Sequence, residues 1–328
     1  MEILSFNMLS QLQAVKIRFQ SYRICAKIKA ECLKKQNVRT ERSACQPGRN
    51  RRKIMKKYQF PIIMWLVFET IAIALWLTLD NAFYLFNFSY IGTCLAAGLA
   101  LYANRYPYAR HMVQFAVGLY MLVYLGFLSQ ENMQIEGFWY YLFLGVFEAA
   151  VIHYLVAKIC GPLLFGRGWC GYACWTAMIL DLLPYKIPRQ PRKNLGYIRY
   201  IVFTCSLLFV GALFLFHVPN LQRIMFYSFL MGNALYYAVG IGLAFAFQDN
   251  RAFCKYICPV AVFLKPTSYY SLLRVKNDTD KCISCGKCQK VCPMNVDPSD
   301  NSRKRKNGTE CILCFQCIEQ CPKKSLHT

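Results

Sequence analysis

The sequence CISCGKCQKVCP, residues 282–293, recurs in its spacing as CILCFQCIEQCP at residues 311–322. In each run three cysteines stand three residues apart, and a fourth follows four residues later, directly before a proline. Three sulfurs at this spacing on a curled loop can bind three corners of an Fe4S4 cube, and the fourth corner needs a cysteine from elsewhere. The two runs therefore predict two [4Fe-4S] clusters.

Residues 275–325 resemble the bacterial two-cluster ferredoxin domain, in which the fourth cysteine of each run binds the other cluster. A zinc site is disfavoured because zinc motifs usually present pairs of cysteines. We expect a small α+β domain over residues 267–328. The predicted ligand sets are Cys282, Cys285, Cys288 and Cys321 for the first cluster, and Cys311, Cys314, Cys317 and Cys292 for the second.

The composition of the 328-residue chain excludes a soluble cytosolic enzyme, a disordered chain and a small secreted disulfide scaffold. Hydrophobic residues make up 56% of the chain and charged residues only 17%, yet its formal net charge is +23. Soluble domains carry roughly 25% charged residues. An apolar chain with basic ends and 18 cysteines points to a lipid bilayer and to bound metal.

Six apolar runs are long enough to cross a hydrocarbon core of about 30 Å as helices. We therefore predict an all-α membrane domain of about six transmembrane helices within residues 58–266. The runs are Phe60–Leu79, Ala82–Ala103, Met112–Ser129, Gly137–Ala157, Tyr197–Phe216 and Phe226–Phe247.

The basic residues predict how the helices are oriented. Of the 39 Lys and Arg residues, 37 lie before the first run, in the 104–111 and 158–196 loops, or after the last run. The joins Asp80-Asn81 and Gln130–Glu136 contain none. Because cytoplasmic loops are enriched in Lys and Arg, we expect both termini on the cytoplasmic side of a bacterial or archaeal inner membrane. Arg199, just inside the fifth run, is expected to reach towards that side.

The first 57 residues are basic and contain no long apolar run, so they are not a secretory signal peptide. Two interpretations remain open. Translation starts at Met55, or the segment is an amphipathic helix lying on anionic lipid.

A second sequence repeat contains four further cysteines. Residues 167–174, RGWCGYAC, recur 84 residues later as RAFCKYIC at residues 251–258. Each copy follows a membrane run, and the surrounding half-sites cover residues 166–184 and 250–266. Two cysteines four residues apart lie on one face of a helical turn. Together Cys170, Cys174, Cys254 and Cys258 could hold a third cluster, and the alternative is two inert or disulfide-forming pairs. Cys94, Cys160 and Cys205 have no predicted role.

Membrane runs, paired Cys-x3-Cys repeats and a two-cluster tail together resemble the membrane polyferredoxin family over about residues 60–325. Its members include the membrane ferredoxin of periplasmic nitrate reductase systems, the ferredoxin half of the nitrous oxide reductase regulator, and a copper-oxidase assembly protein. The family motif ends in proline, as at Pro259, whereas Trp175 follows Cys174 in the first copy.

Two carboxylates, Glu69 and Glu148, fall near the middle of predicted runs, where ionisable residues are often functional. Each is a candidate proton acceptor for quinol oxidation, or alternatively a protonated side chain bonded between helices. His111 and His153 lie on the cytoplasmic side, but without a haem attachment motif the sequence does not favour haem.

The sequence thus predicts electron transfer at the membrane between quinone or quinol and redox partner proteins. We expect the electrons to pass through the two [4Fe-4S] clusters of the tail and through a third cluster in the Cys-x3-Cys repeats. The resemblance implies an electron-transfer subunit or accessory protein rather than a stand-alone enzyme. A copper reductase for oxidase assembly and a redox-sensing regulator are the alternatives. The basic clusters are explained by membrane topology, so no nucleic-acid partner is expected.

Overall fold

The computed structural model describes the backbone of residues 47–147 and 149–328 and the side chains of residues 58–147 and 150–328. Residues 1–46 and the side chains of residues 47–57, which make up the N-terminal extension, therefore lie outside the described residues, and so does Glu148. Residues Phe60–Thr328 form one compact unit. The described part of the chain contains five helices long and apolar enough to cross a membrane: Tyr58–Leu79, Ala82–Ala103, Ala109–Leu128, Ile198–Leu215 and Leu221–Ala246.

The first three spans belong to helices α1 (Pro47–Leu79), α2 (Ala82–Ala103) and α3 (Ala109–Leu119), the last of which continues as a π-helical segment to Leu128. Only Asp80 and Asn81 separate the first two helices. The Asn81 side chain caps α2 by accepting a hydrogen bond of 2.9 Å from the N–H of Phe83. Glycines allow these helices to pack closely, since a Cβ at Gly98 would overlap Cγ2 of Val113 on α3.

The predicted fourth span, Gly137–Ala157, is not one helix. The chain forms α4 (Ile135–Phe143), breaks at Gly145, whose φ is +71°, and resumes as α5 (Ala149–Tyr154). This second helix continues through a π-helical turn and a last α-helical turn to Phe165. The apolar run is long enough for a span, but a glycine in the left-handed region divides it into two antiparallel arms.

The α4 arm runs alongside α8 (Ile198–Leu215) in the same direction. Trp139 donates a hydrogen bond of 3.2 Å to the hydroxyl of Ser206, and the Phe143 ring lies edge-on to Phe214 at 5.5 Å. The start of α4 therefore lies deeper between the helices than its end.

The join before α4 enters the helix bundle. Residues Asn132–Ile135 are buried. The amide of Asn132 donates to the carbonyl of Met225 at 3.0 Å, and Gln134 packs against Gly232, both on α9 (Leu221–Ala246). The Asn132 side chain therefore anchors this segment to α9 inside the helix bundle.

The two repeat copies form matching pairs of short helices after the membrane segments. The first copy contains α6 (Gly168–Tyr172) and α7 (Trp175–Leu180), and the second contains α10 (Ala252–Tyr256) and α11 (Ala261–Tyr269). Both copies lie at one end of the membrane helices, which we call the cysteine side.

The tail is built from short elements around its cysteines. Strand β1 (Lys276–Asn277) pairs antiparallel with β2 (Leu326–His327), and between them lie α12 (Lys287–Lys290), a 3-10 turn (Gly308–Glu310) and α13 (Gln316–Glu319). The tail packs directly on the first repeat copy. The hydroxyl of Tyr172 donates to the carbonyl of Leu313 at 3.0 Å.

Arg199 reaches towards the cysteine side, where it contacts protein groups rather than solvent. It is fully buried, and its guanidinium donates to the carbonyl of Lys255 and to the Glu310 carboxylate of the tail. The pairing with a buried carboxylate replaces the hydration that an extended arginine would find at the membrane surface.

Substituting alanine at two helix glycines should separate packing from helix propensity. Gly98→Ala places a methyl group against Val113 and should destabilise the protein by about 1–3 kcal/mol through overpacking. Gly211→Ala is the matched control, because no atom lies within 4 Å of its Cβ position. It should be neutral or slightly stabilising. Thermal unfolding in detergent measures both, and equal midpoints for the two variants would contradict the packing of α2 on α3.

Candidate functional site

The four cysteines of the two repeat copies line one cavity, here called the repeat cavity. Cys170 lies in α6 and Cys254 lies at the equivalent position of α10. Cys174 and Cys258 follow these helices, and all four border the same space together with Lys158 and Gln134. The sequence repeat is therefore also a spatial repeat, in which each copy supplies half of the cysteine set.

The first arginine of each copy donates a hydrogen bond to the backbone of the other copy. Arg167 donates to the carbonyl of Cys254 at 3.4 Å, and Arg251 donates to the carbonyl of Cys170 at 3.0 Å. Each guanidinium also points to the first cysteine of its own copy, with N···S distances of 4.0 Å for Arg167 to Cys170 and 3.9 Å for Arg251 to Cys254. These reciprocal contacts give the two loops an approximate twofold relation.

Each of these arginines is paired with a buried carboxylate. Arg251 bonds Asp181 at 2.5 Å, and Arg110 reaches the same carboxylate at 2.7 Å. Arg167 bonds Glu310, which lies directly before Cys311 of the tail. Arg192 and Arg199 bond Glu310 as well, at 3.0 and 3.1 Å. One tail carboxylate therefore pairs with three arginines, which lie in the first repeat copy, in the loop after it and at the start of α8.

Positive charge exceeds negative charge in this region. Among the described residues, eight cationic side chains and three ion-paired carboxylates, those of Asp181, Asp249 and Glu310, lie in this region. Burying unpaired charge is costly, so the excess favours an anionic occupant. The eight cations are Arg110, Lys158, Arg167, Arg192, Arg199, Arg251, Lys255 and Lys265.

The same region also contains three buried N–H groups that have no hydrogen-bond acceptor among the described residues. Within the described residues, the Nε atoms of Arg167, Arg199 and Arg251 have no hydrogen-bond partner. Buried donors are rarely left without one, so these groups suit a site filled by a group that accepts hydrogen bonds.

Trp175 replaces the proline of the family motif without displacing its neighbouring cysteine. Its indole N–H donates to the amide oxygen of Asn233 on α9 at 2.8 Å, and the side chain is buried. Helix α7 starts at Trp175 itself, so Cys174 stands at the helix N-terminus. A buried tryptophan anchored to a membrane helix therefore fixes the loop where the second copy has Pro259.

The eight tail cysteines line two more cavities in the crossed arrangement that the sequence predicts. The outer tail cavity is bordered by Cys282, Cys285, Cys288 and Cys321. The inner tail cavity is bordered by Cys292, Cys311, Cys314 and Cys317. Each run thus contributes three cysteines to one space and its fourth to the other.

The three cavities follow one another through shared apolar clusters. One cluster contains Cys170 and Cys254 of the repeat cavity, with Cys292, Cys311 and Cys314 of the inner tail cavity packed against it. A second cluster contains Cys317, with Cys288 and Cys321 of the outer tail cavity packed against it. The order from the membrane helices outward is repeat cavity, inner tail cavity, outer tail cavity.

The thiols become less buried along this order. Burial raises the pKa of Cys254 to about 12 and that of Cys258 to about 11 in the repeat cavity. It raises the pKa of Cys292 to about 12 in the inner tail cavity. In the outer tail cavity a hydrogen bond from the backbone of Ser284 lowers the pKa of Cys282, and Cys285 is exposed. Metal binding at the buried thiols must therefore release protons.

The remaining described candidates, Glu69, His111 and His153, do not border the three cysteine cavities. The Ser89 hydroxyl on α2 donates to the carboxylate of Glu69 on α1 at 2.7 Å, as the interhelical alternative for Glu69 predicts. His153 stacks edge-on against Trp169 with ring centres 5.3 Å apart, and His111 lies 3.2 Å from the Arg110 guanidinium.

Sequence reasoning missed Glu310, Asp181 and Lys158, which complete the polar surroundings of the cysteines. Glu310 could have been recognised from the sequence, because it is an acidic residue directly before a ligand-type cysteine in a basic tail. Lys158 is harder to recognise, because its only feature in the sequence is that it directly follows an apolar run. Its ammonium lies 4.8 Å from the ring centre of Trp169 and it lines the repeat cavity.

Two family models match the cysteine regions. The model of a 4Fe-4S dicluster domain matches residues 274–322. The model of a 4Fe-4S binding domain matches residues 155–194 and 234–276, which include one repeat copy each. No solved structure matches the chain.

Curated relatives agree with these models. An uncharacterized protein of Methanocaldococcus jannaschii is 28% identical over 185 residues, which are 52% of this chain and 76% of the relative. "Putative electron transport protein YccM" of Escherichia coli is 26% identical, over 55% of this chain and 56% of its own length. "Nitrogen fixation protein FixG" of Rhizobium meliloti is 24% identical, over 48% of this chain and 37% of its own length.

The domain matches and relatives confirm the resemblance to membrane polyferredoxins that the sequence predicts. The chain carries 4Fe-4S domains together with apolar helices long enough to cross a membrane. It is an iron-sulfur electron-transfer protein.

Replacing Glu310 by glutamine should loosen the tail from the repeat copies. Arg167, Arg192 and Arg199 would lose their shared carboxylate, and breaking a buried ion pair typically costs about 3–5 kcal/mol. Thermal unfolding in detergent and protease sensitivity of the tail measure the effect. Asp280→Asn, an exposed acid in the same tail, is the control. Equal stability of both variants would show that the Glu310 contacts do not hold the tail.

Proposed function

We propose that this chain carries electrons between the membrane quinone pool and a redox partner through three [4Fe-4S] clusters. The observation that supports this most is the division of twelve cysteines into three successive cavities, four to each. A row of sites leading from the membrane helices to the exposed end of the tail suits a relay. We therefore assign the chain the role of an electron-transfer subunit or accessory protein.

The proposed ligands follow the cavity borders. Cys170, Cys174, Cys254 and Cys258 would hold the cluster nearest the membrane. Cys292, Cys311, Cys314 and Cys317 would hold the middle one. Cys282, Cys285, Cys288 and Cys321 would hold the outermost. A [4Fe-4S] cluster, once bound, supplies a group that takes up and returns one electron at a time.

The character of the sites favours clusters over single metal ions. In the described residues no three His, Cys, Asp or Glu side chains converge closely enough for one metal ion. A zinc ion needs four ligands within about 2.3 Å of one point. The four thiols of each set instead surround a cavity. An oxidised cube with four thiolates carries a charge of about −2, which would offset the excess of buried cations.

The protein's own residues hold and insulate these sites. Arg167 and Arg251 lock each repeat loop to the other and direct their guanidinium groups towards the sulfurs of Cys170 and Cys254. Donors near a cluster's sulfurs raise its reduction potential, and an apolar shell that excludes water tunes it further. Ile312 and Phe253 contribute to that shell between the repeat and inner tail cavities.

The outer tail cavity is the proposed exit towards the redox partner. Cys285 is exposed there, and Lys287 and Lys323 border the cavity. Lys290 and Lys324 are exposed close by in sequence. A protein with an acidic face around its own redox group would be steered to this surface by charge.

The proposed entry of electrons is from quinol on the membrane side. Quinol oxidation releases protons, and Glu69 and Glu148 are the proposed acceptors. Glu69 already accepts a hydrogen bond from Ser89 between two spans. We place the cysteine side in the cytoplasm of a bacterial or archaeal inner membrane, because 37 of the 39 Lys and Arg residues belong to segments predicted on that side.

Iron analysis of anaerobically purified protein tests the number of clusters. We expect about twelve iron atoms per chain from three cubes of four. Replacing Cys258 by alanine should lower the count to about eight, because the repeat cavity loses one of its four thiols. The control is Cys205→Ala, which alters an exposed cysteine on α8 and should leave the count unchanged.

A count of about eight in the unchanged protein would remove the third cluster but leave the two tail clusters. Electron paramagnetic resonance of the reduced protein distinguishes cubes from adventitious iron, since only bound cubes give the corresponding signals. Absence of these signals would contradict the whole proposal.

Glu69→Gln tests the proton role of this side chain. Glutamine keeps the hydrogen bond to Ser89 possible but cannot take up a proton. Loss of a general base typically slows a reaction by roughly 100-fold or more, so cluster reduction by decylubiquinol should slow accordingly while reduction by dithionite stays normal. Thr70→Val, the neighbouring residue on α1, serves as the control. An unchanged quinol rate in the Glu69 variant would exclude Glu69 as the acceptor.

A further inference from the structure

The broken fourth apolar run brings two polar side chains to the repeat cavity. Gln134 directly precedes α4, and Lys158 lies in the π-helical turn that continues α5. The two residues are 24 positions apart in the sequence, which would separate them by about 36 Å along a straight helix. Because the run breaks at Gly145 and folds back, both side chains line the same cavity.

The Gln134 side chain is packed against α9 and keeps an unused donor. The residue is only 4% exposed. Its Oε1 atom lies beside Gly232 of α9, where a Cβ atom would overlap it. Its Nε2 atom is buried and has no hydrogen-bond acceptor among the described residues. A buried amide N–H on a cavity wall without an acceptor suits an occupant that accepts hydrogen bonds.

Lys158 adds an ammonium group that no carboxylate neutralises. The side chain is buried, and within the part of the chain that the structure describes it forms no ion pair. Its Nζ atom lies 4.8 Å from the ring centre of Trp169, which is within the range of a cation–π contact. Trp169 directly precedes Cys170, so the aromatic ring holds the ammonium group close to the cysteine set.

These two side chains differ from the arginines that surround the same cysteines. The guanidinium groups of Arg167 and Arg251 are already bonded to carboxylates and to backbone carbonyls of the other copy. Among the described residues, neither the Gln134 amide nitrogen nor the Lys158 ammonium is bonded to a carboxylate. Their N–H groups are therefore left for whatever fills the cavity, and the sulfurs of an iron-sulfur cluster accept hydrogen bonds.

We infer that Gln134 and Lys158 donate hydrogen bonds to the sulfurs of a [4Fe-4S] cluster in the repeat cavity and raise its reduction potential. The inference rests on the proposed third cluster and deepens it by naming two residues, outside both repeat copies, that tune this cluster. Uptake of one electron changes the charge of the cluster from about −2 to about −3, while no bond forms or breaks and no proton moves. Because donors bind the more negative state more strongly, both side chains favour reduction.

A redox titration of the whole, iron-loaded chain, followed by electron paramagnetic resonance, tests this inference. The signal that Cys258→Ala lacks identifies the cluster of the repeat cavity. Lys158→Met and Gln134→Met keep the length of the side chain but remove its N–H donors. In each variant the ratio of reduced to oxidised repeat-cavity cluster at a fixed potential should fall roughly tenfold, which is a shift of about 59 mV for one electron. The two tail clusters should keep their midpoint potentials.

Two matched controls remove the same chemical groups elsewhere in the protein. Lys193→Met alters a lysine whose Nζ atom also lies over an aromatic ring, 4.3 Å from the ring centre of Phe247. Gln114→Met alters a buried glutamine whose Nε2 atom also has no partner among the described residues. Neither residue borders a cysteine cavity, so both variants should keep all three midpoint potentials.

Iron content separates failure of this inference from failure of the proposed third cluster. If the unchanged protein binds about eight iron atoms and Cys258→Ala lacks no signal, the third cluster fails and the inference fails with it. If about twelve iron atoms are bound, an unchanged midpoint in a Met variant, or an equal shift in its control, excludes the contact of that residue and leaves the cluster in place.

A milder pair of variants keeps the test decisive if a Met variant loses the cluster. Gln134→Asn shortens the amide side chain, and Lys158→Gln removes the charge but keeps N–H donors. Each should lower the midpoint potential of the repeat-cavity cluster by a smaller factor than the Met variant. An unchanged midpoint in either milder variant would contradict the contact of that residue.

Discussion

The buried carboxylate of Glu310 is the interaction on which the rest of the arrangement depends. It receives hydrogen bonds from Arg167, Arg192 and Arg199, which belong to the first repeat copy, the loop after it and the start of α8. Without this charge three arginines would be buried unpaired, which is far costlier than leaving them exposed. The pairing fixes the tail directly over the repeats, so that the inner tail cavity and the repeat cavity share one apolar cluster.

The relation between the repeat copies adds a second constraint. Each arginine that opens a copy bonds the backbone of the other copy, so the four cysteines are held as one set rather than as two pairs. The acidic partners differ, because Asp181 is local to the first copy while Glu310 comes from the tail. Both arginines are thus paired with carboxylates that lie outside the repeated sequences 167–174 and 251–258.

The sequence groups the cysteines by ligand spacing, which is a local property, and each of the three groups borders one cavity. It also predicted six spans, and five of these coincide with helices that are long and apolar enough to cross a membrane. It failed at Gly137–Ala157, where a single glycine with positive φ breaks a run whose composition reads as one helix. It could not predict the burial of Arg199 and Glu310 either, because their pairing joins residues 111 positions apart.

The long separation in sequence between these arginines and Glu310 has a consequence for how the protein is made. Arg167 is synthesised 143 residues before the Glu310 that neutralises it. Until the tail arrives, the membrane part holds an incomplete, strongly cationic surface, and contacts of such long range form slowly. Docking of the tail brings the carboxylate that pairs with these arginines and packs the tail cysteines against Cys170 and Cys254.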